Sequence, residues 1–153
     1  RVRSYNFRSR FIELAHEINK RMPEETVNII AEALNWHGKP LRDSVVLIIG
    51  VTYKPNVSDY RESPALDVID LLTMKGAKVI INDPYVQGIE VGPHIYKSQE
   101  LTEELLSSVD CVVVLTPHDT YDWHWIAEHA RLIVDTRNAI PRDEKYRSKV
   151  FRL

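Results

Sequence analysis

Apolar and polar residues alternate in blocks along this chain, and the blocks predict a repeating order of strands and helices. Four short apolar runs have the length and β-branched content of buried parallel strands: Val45–Ile49, Lys78–Asn82, Asp110–Leu115 and Leu132–Asp135. Helices are predicted between them, the second after a polar loop through Gly88, Gly92 and Pro93: Pro64–Lys75, about Ser98–Ser107 and about Trp123–His129. This order predicts an α/β fold, a doubly wound parallel sheet with helices on both faces.

The amino-terminal part predicts two further helices that precede the sheet. Apolar residues recur at helical intervals in Arg1–Lys20, and Pro23 is expected to end this helix. A second amphipathic helix is predicted over about Glu24–Trp36, before His37-Gly38 breaks the pattern. The first helix starts without a capping residue, so we expect the chain to be part of a longer protein.

The stretch Val45–Ser63 has the layout of an anion site. Gly50 ends the first apolar run where the chain must turn sharply, and the following loop carries Lys54 and Arg61. Ser63-Pro64 then begins a helix, because serine is a favoured N-cap and proline suits the first helical position. The positive end of that helix and the two cations predict binding of a phosphate or pyrophosphate. The alternative is that Lys54 and Arg61 are merely solvated loop cations.

Arg137 is a second candidate for the same site. The sequence Asp135-Thr136-Arg137-Asn138 directly follows the last predicted strand, at the sheet edge where Lys54 is also expected. A guanidinium group there can bind a phosphate or a ribose-bearing group through paired hydrogen bonds. The alternative is that Arg137 forms an ion pair with Asp135 or Asp83.

Composition limits the kind of partner this chain can bind. With 153 residues, of which 44% are apolar and 27% charged, it is an ordinary globular domain with enough material for one core. The formal net charge of −2 and the scattered basic residues give no reason to expect nucleic acid or an anionic membrane as a partner. No apolar run approaches the ~18 residues of a membrane span. The single cysteine favours a reducing cytoplasm.

Three other polar signals are interpreted as structural. Asp83 ends the second predicted strand, as the ribose-binding acid of a dinucleotide fold does, but the G-x-G-x-x-G turn is missing. We therefore interpret Asp83-Pro84 as a turn or a capping element. Cys111 begins an apolar strand and is interpreted as a buried, inert thiol. The histidines lack cysteine partners and H-E-x-x-H spacing, so no metal site is predicted.

Four separated stretches resemble the carboxyl-terminal, UDP-binding domain of the UDP-glucose/GDP-mannose dehydrogenase family: GVTYKPNVSDYRESPALDVIDLL, GAKVIINDPYV, LTPHDTYDW and LIVDTRNA. Within that family they are most similar to the bacterial UDP-N-acetylglucosamine and UDP-N-acetylmannosamine 6-dehydrogenases. The likeness extends from about Phe11 to Leu153. It implies that residues 1–38 are a helical linker from the end of the central dimerisation domain and that residues 39–153 form a Rossmann-like UDP-binding domain.

The resemblance also implies roles for individual residues. The aromatic-Lys pair of the family falls on Tyr53 and Lys54, which the resemblance implies contact the UDP-sugar, and its UDP-sugar-binding arginine falls on Arg137. The arginine of its RES motif falls on Arg61, which in such enzymes lies toward the NAD cofactor. His118 falls in the T-x-H segment of the family and is expected to shape the cleft. The glycine-rich motif of the catalytic cysteine does not occur in this chain, so no catalytic residue is expected here.

The resemblance implies that this chain is the UDP-sugar-binding domain of an NAD-dependent UDP-N-acetylhexosamine 6-dehydrogenase of polysaccharide biosynthesis, which oxidises the C6 alcohol to a carboxylate. Alone, the chain is expected to be inactive, because NAD is bound mainly by the amino-terminal domain. The full enzyme is expected to be a cytoplasmic homodimer joined through the linker helix, where Phe7 and Phe11 are exposed apolar candidates. Three alternatives remain: a stand-alone nucleotide-binding or regulatory module, a UDP-glucose 6-dehydrogenase, and a scaffold domain without a ligand.

Overall fold

The computed structural model describes residues 2–153, with side chains described from residue 9 onward. The α-helices of this part are α1 Val2–Trp36, α2 Pro64–Met74, α3 Glu103–Ser108 and α4 Trp123–His129. The strands are β1 Val45–Ile49, β2 Lys78–Asn82, β3 Gly88–Val91, β4 His94–Lys97, β5 Cys111–Val114, β6 Ile133–Asp135 and β7 Val150–Arg152. A 3₁₀ turn at Glu144–Tyr146 precedes the last strand. Among the helices of the described part, none combines the length and the apolar character that a membrane span requires.

Five strands form one parallel sheet in the order β2-β1-β5-β6-β7. The strand β1 lies between β2 and β5, so the chain reverses its direction of progress across the sheet after β2. The predicted α/β doubly wound fold is confirmed, together with the four predicted strands. The fifth strand, β7, was not predicted. It has only three residues and pairs with β6 alone, so its apolar pattern is too short to be recognised.

The sheet is buried on both faces, which explains the unbroken apolar runs of its central strands. Val46 and Ile48 in β1 face a core shared with α1 and α2, whereas Leu47 and Ile49 face a core shared with α3 and α4. All four side chains are fully buried. Successive residues of a strand point to opposite faces, so a strand between two helical layers must be apolar at every position.

The predicted break at Pro23 is wrong, because α1 runs without interruption from Val2 to Trp36. A proline within a helix removes one backbone hydrogen bond and usually bends the helix, but it need not end it. Here Pro23 is buried, and the next turn is reinforced by the Thr26 hydroxyl, which donates to the Met22 carbonyl at 2.8 Å. Packing of the following turns on the sheet, with Val27, Ile30, Ala33 and Leu34 buried, compensates for the lost bond.

The amino-terminal half of α1 carries apolar side chains that do not pack on the rest of the chain. Phe11 is 68% exposed, Ile12 65%, Leu14 54% and Ile18 52%. The side chain of Phe7 lies outside the described residues. An apolar helical stripe of this size is usually covered by another surface.

A β-hairpin replaces the polar loop predicted around Gly88 and Gly92. The strands β3 and β4 pair antiparallel, with Gly92-Pro93 in the turn between them. Ser98, just after β4, forms a parallel bridge with Ile81 and so lies along the free edge of β2. Apolar and polar residues do alternate within Gly88–Lys97, as in a strand, but one proline and two glycines within ten residues obscured this pattern. Because this segment is used by the hairpin, α3 begins only at Glu103, after the N-cap Thr102.

Asp110, just before β5, ties the segment after α1 to the sheet. Its carboxylate accepts the Val45 N–H at 2.8 Å and pairs with the Lys39 ammonium. Burial raises the pKa of Asp110, but the hydrogen bonds from Lys39 and from the Val45 N–H outweigh it and hold the pKa below its usual range. The carboxylate therefore stabilises the fold at pH values above the unfolded pKa of about 4, and this contribution is lost as the pH falls through the lower folded pKa.

We expect Asp110→Asn to lower the free energy of unfolding by about 1–2 kcal/mol at pH 7, because the charged hydrogen bonds are lost. The deficit should shrink as the pH falls from about 4 through the lower folded pKa, because the wild-type carboxyl then loses its charge. Urea unfolding of both proteins from pH 7 to pH 2 measures it. A deficit that is independent of pH would show that charge on Asp110 does not contribute.

Candidate functional site

The loops at the carboxyl ends of β1, β5 and β6 enclose a cavity of about 580 Å³ together with α1 and the first turn of α2. The carboxyl ends of parallel strands are where open α/β sheets bind ligands. The cavity has a volume within the range of small-molecule sites. Its lining residues are as follows: His16, Asn19, Met22, Pro23, Thr26, Thr52, Tyr53, Glu62, Ser63, Pro64, Ala65, Val68, Leu115, Thr116, Thr136, Arg137 and Leu153.

Gly50 permits the tight turn that leads from β1 into the cavity wall. Its φ angle is +80°, and its N–H donates to the Asn82 carbonyl at 2.9 Å. A Cβ atom at this position would lie 2.2 Å from the backbone oxygen of Thr116. The loop after β5 therefore passes directly over Gly50, and only glycine combines this φ angle with this close approach.

The loop after β1 is held by bonds within it and by the neighbouring loop. The Tyr53 N–H donates to the Asp59 carbonyl at 2.9 Å, and the Thr52 hydroxyl donates to the Lys54 carbonyl at 2.7 Å. The Thr116 hydroxyl donates to the Thr52 carbonyl at 2.8 Å. This loop presents Tyr53, 55% exposed, to the cavity.

The two loop cations lie outside the cavity lining. Arg61 is exposed, and its guanidinium group makes two hydrogen bonds with the Asp59 carboxylate, at 3.0 and 3.2 Å. These bonds, together with one from the Arg61 backbone N–H at 3.0 Å, lower the pKa of Asp59. Lys54 is exposed too, and within the described part of the chain no carboxylate lies within ion-pair distance of it. Arg61 is thus partnered by a neighbouring carboxylate, whereas Lys54 makes no such ion pair among the described residues.

The first turn of α2 lies on the cavity. Ser63 is the N-cap, as predicted, and its hydroxyl oxygen accepts the Ala65 N–H at 3.3 Å, with Pro64 at the first helical position. The Leu66 N–H reaches the Ser63 carbonyl, so the capping bonds already use the N–H groups of this turn. The positive end of the α2 dipole therefore faces the cavity. The negative carboxylate of Glu62, which also lines the cavity, reduces this positive potential.

Arg137 reaches the cavity because Asp135 shapes the loop after β6. The fully buried Asp135 carboxylate accepts the Arg137 and Ala139 N–H groups, both at 3.1 Å, and the Ile140 N–H at 2.9 Å. Its ion pair is made with Arg152 in β7, at 2.7 Å. Sequence reasoning did not predict this pair, because Arg152 lies 17 residues away.

The guanidinium group of Arg137 is consequently left at the cavity without a carboxylate partner among the described residues. Its side chain is exposed, and its one protein hydrogen bond there is donated to the Leu115 carbonyl at 3.4 Å. The alternative of an ion pair with Asp135 or Asp83 is therefore not what the structure shows. Of the four sequence candidates, Tyr53 and Arg137 line the cavity, whereas Lys54 and Arg61 lie beside it.

Sequence reasoning missed several polar groups of the lining. His16 and Asn19 come from α1, and Thr52, Thr116 and Thr136 come from the loops after the three strands. The threonines follow predicted strand ends, a signal that could have included them. No sequence signal placed α1 over the cavity, because this depends on how a distant helix packs.

The turn after β1 does not fit a dinucleotide bound in the Rossmann manner. The turn has a single glycine instead of the G-x-G-x-x-G pattern, and the Thr116 backbone packs directly against that glycine, Gly50. Both oxygens of the buried Asp83 carboxylate are occupied, one by the Tyr85 N–H at 2.8 Å and the other by the Val51 N–H and His118, each at 2.8 Å. The Tyr85 bond closes a turn, as predicted for Asp83, and no ribose hydroxyl can reach this carboxylate.

Cys111 is fully buried in β5, as the sequence predicts, and burial raises the pKa of its thiol. Because its thiol is uncharged and inaccessible to solvent, Cys111 serves as a packing residue. Within the part of the chain that the structure describes, histidine, cysteine and carboxylate side chains form no group of three or more that could hold a metal ion.

Comparison with known proteins identifies the family of this chain. The profile of the UDP-glucose/GDP-mannose dehydrogenase family, UDP binding domain, matches residues 47–142. The UDP-N-acetyl-D-mannosamine dehydrogenase of Methanocaldococcus jannaschii is 35% identical over 94% of this chain and 33% of its own length. That of Methanococcus vannielii is 35% identical over 86% of this chain and 31% of its own length.

Solved structures give the same result. The NDP-N-acetyl-D-galactosaminuronic acid dehydrogenase of Methanosarcina mazei superposes with a TM-score of 0.75 at 27% identity, over 92% of this chain and 30% of that one. The UDP-D-ManNAc dehydrogenase of Pyrococcus horikoshii superposes with a TM-score of 0.71 at 27% identity, over 86% of this chain and 31% of that one. The chain spans about a third of the length of these relatives. It belongs to the UDP-glucose/GDP-mannose dehydrogenase family, of which it contains the UDP-binding domain.

Proposed function

We propose that this chain is the UDP-sugar-binding domain of an NAD-dependent UDP-N-acetylhexosamine 6-dehydrogenase, which oxidises the sugar C6 alcohol to a carboxylate. The observation that carries the proposal is the cavity at the carboxyl ends of β1, β5 and β6, with Tyr53 and Arg137 in its lining. Several matched relatives are described as UDP-N-acetyl-D-mannosamine dehydrogenases. The chain alone is expected to bind nucleotide without turnover.

The polar and apolar groups of the cavity suit the parts of a UDP group. The Arg137 guanidinium can donate two hydrogen bonds to a phosphate, and the Lys54 ammonium adds a positive charge beside it. The Tyr53 ring offers an apolar face with a polar tip. Interactions at UDP, remote from the reacting carbon, hold C6 in position in the complete enzyme.

NAD is assigned to another part of the complete enzyme, because the first turn of this domain does not fit a dinucleotide. Arg61 is the residue proposed to reach toward NAD, and the exposure of its side chain supports this. The homodimer proposed for the complete enzyme is supported by the exposed apolar stripe of α1, which includes Phe11 and Leu14. A cytoplasmic location is supported by the single, buried cysteine.

We expect the chain to bind UDP and Arg137→Ala to weaken that binding by about tenfold or more, because each charged hydrogen bond contributes ~1.5–3 kcal/mol. Lys54→Ala should weaken it less, since a single exposed ammonium is strongly solvated. NMR titration of isotope-labelled chain with UDP measures both, and the shifts should be confined to residues 51–61 and the neighbourhood of Arg137. Arg147→Ala is the matched control, because Arg147 is an exposed arginine outside the cavity.

Unchanged UDP affinity in Arg137→Ala and Lys54→Ala would show that these cations make only surface contacts. In the full-length protein, NADH formation with UDP-N-acetylmannosamine, UDP-N-acetylglucosamine and UDP-glucose would identify the substrate. Two NADH per UDP-sugar are expected, because alcohol-to-carboxylate oxidation removes four electrons. UDP binding by the full-length protein without NADH formation would indicate a nucleotide-binding module instead of an enzyme.

A further inference from the structure

We infer that buried His118 holds the loop of Tyr53 and Lys54 in the conformation that binds UDP, and so is a positioning residue of this site. The inference rests on the proposed function. His118 lies after β5, and its side chain is fully buried. It does not line the cavity, so its effect on a ligand passes through the residues it contacts.

The imidazole ring of His118 bonds with the loop at one nitrogen and with the end of β2 at the other. Nδ1 lies 2.8 Å from the backbone nitrogen of Asn56. Nε2 lies 2.8 Å from a carboxylate oxygen of Asp83 and 3.4 Å from the Thr52 hydroxyl. One side chain thus connects the loop after β1 with Asp83, the residue that follows β2.

These partners determine which ring nitrogen carries the proton. The backbone N–H of Asn56 can only donate, so Nδ1 must be the acceptor and carries no proton. The hydrogen therefore sits on Nε2 and is donated to the Asp83 carboxylate. The other tautomer would set an Nδ1 proton against the Asn56 N–H, and a ring rotated by 180° would set carbon atoms against both partners, so this network specifies a single ring orientation.

The loop is fastened at two points on either side of Tyr53 and Lys54. Asp83, in addition to accepting the hydrogen bond from His118, accepts the Val51 N–H at 2.8 Å. His118 accepts the Asn56 N–H at the other end. Both fastening groups are buried. The bond to the Val51 N–H is buried as well, which shields it from competing water, and the bond to the Asn56 N–H is part-buried. The two ligand-binding residues lie within this fastened segment.

Other groups around His118 prevent the ring from moving. The Tyr85 ring centroid lies 4.7 Å from that of His118, and the Tyr121 centroid lies at 5.8 Å.

Asn56 is held by a second set of bonds on the exposed side of the loop. Its side-chain amide exchanges two hydrogen bonds with Asp119, both at 2.9 Å. These bonds hold Asn56 at a φ angle of +63°, which costs free energy for a residue other than glycine. The loop is preorganised, which reduces the entropy lost on ligand binding.

Two substitutions separate the bond to the loop from the bond to Asp83. In His118→Asn the side-chain oxygen takes the place of Nδ1 and can still accept the Asn56 N–H. In His118→Gln the side-chain NH₂ takes the place of Nε2 and can still donate to Asp83, but the acceptor for Asn56 is lost. His94→Gln is the matched control, because His94 is exposed in β4 and outside the cavity.

We expect His118→Gln to weaken UDP binding by about tenfold and His118→Asn by less than about threefold, measured by calorimetric titration at a temperature where both are folded. In His118→Gln the amides of Tyr53 and Lys54 should also gain mobility in NMR relaxation measurements, whereas in His118→Asn they should not. A purely structural role would lower the melting temperature of both variants without this difference in affinity.

The outcomes are distinguishable. Absence of UDP binding by the wild-type chain would overturn the proposed function and this inference together. If the wild-type chain binds UDP and His118→Gln binds it with the same affinity, this inference alone would be overturned. If His118→Gln does not fold, Asn56→Ala provides the same test from the exposed side, because it removes the bonds to Asp119 and disfavours the positive φ angle. Unchanged UDP affinity in that variant would likewise overturn the inference.

Discussion

Replacement of Gly50 by alanine is expected to lower the free energy of unfolding by about 2–5 kcal/mol, because it combines two unfavourable terms. The φ angle of +80° is strained for any residue with a Cβ atom. The added methyl group would also lie 2.2 Å from the Thr116 oxygen, so the loop after β5 would have to move. Urea unfolding of the two proteins measures the loss, and UDP affinity should fall as well, because Thr116 lines the cavity.

Gly92→Ala is the matched control for this prediction. Gly92 also has a positive φ angle, +56°, but no atom lies within 4 Å of the position of its missing Cβ. Alanine there should cost only the backbone term, about 1–2 kcal/mol. Equal losses in Gly50→Ala and Gly92→Ala would mean that the contact between Gly50 and Thr116 contributes nothing.

Replacement of Asp135 by asparagine is expected to lower the free energy of unfolding by about 3–5 kcal/mol, as breaking a buried ion pair usually does. The carboxylate accepts three backbone N–H groups and the Arg152 guanidinium. An amide group in its place turns one acceptor into a donor, which faces other donors, and leaves Arg152 without its countercharge. Urea unfolding measures the effect.

The same substitution should release Arg137, whose N–H is one of the three bonded to Asp135. UDP affinity is therefore expected to fall by about tenfold in the folded fraction. Asp143→Asn is the matched control, because Asp143 is an exposed residue that caps the 3₁₀ turn, and asparagine caps as well as aspartate. A loss below about 1 kcal/mol in Asp135→Asn, similar to that of the control, would show that the carboxylate is not required.

The sheet and its helices could be predicted where local sequence determines them. The strand β1 is predicted by an apolar run that is buried on both faces, and α2 by the cap Ser63 and the proline that follows. The continuity of α1 through Pro23 could not be predicted, because it depends on packing against a sheet that comes later in the chain. The short strand β7 could not be recognised for a similar reason, since a single neighbour stabilises it.

The candidate site was predictable to the extent that it follows strand ends. Tyr53 and Arg137 come soon after β1 and β6, and parallel strands bring such residues to one edge of the sheet. The partner of Asp135 and the contacts of His118 join residues far apart in the chain, and no spacing rule relates them. Sequence periodicity reports which side of an element is buried, but not which polar side chains meet there.

The two borders of the sheet bear on aggregation. Unpaired strand edges invite pairing with strands of other molecules. On the β2 side, the segment after the hairpin already occupies that border, where the Gln99 N–H donates to the Ile81 carbonyl at 2.9 Å. On the other side, β7 offers only three residues, one of which is Arg152, with Lys149 directly before it. One border is covered and the other is short and charged, so neither is a good template for intermolecular strand addition.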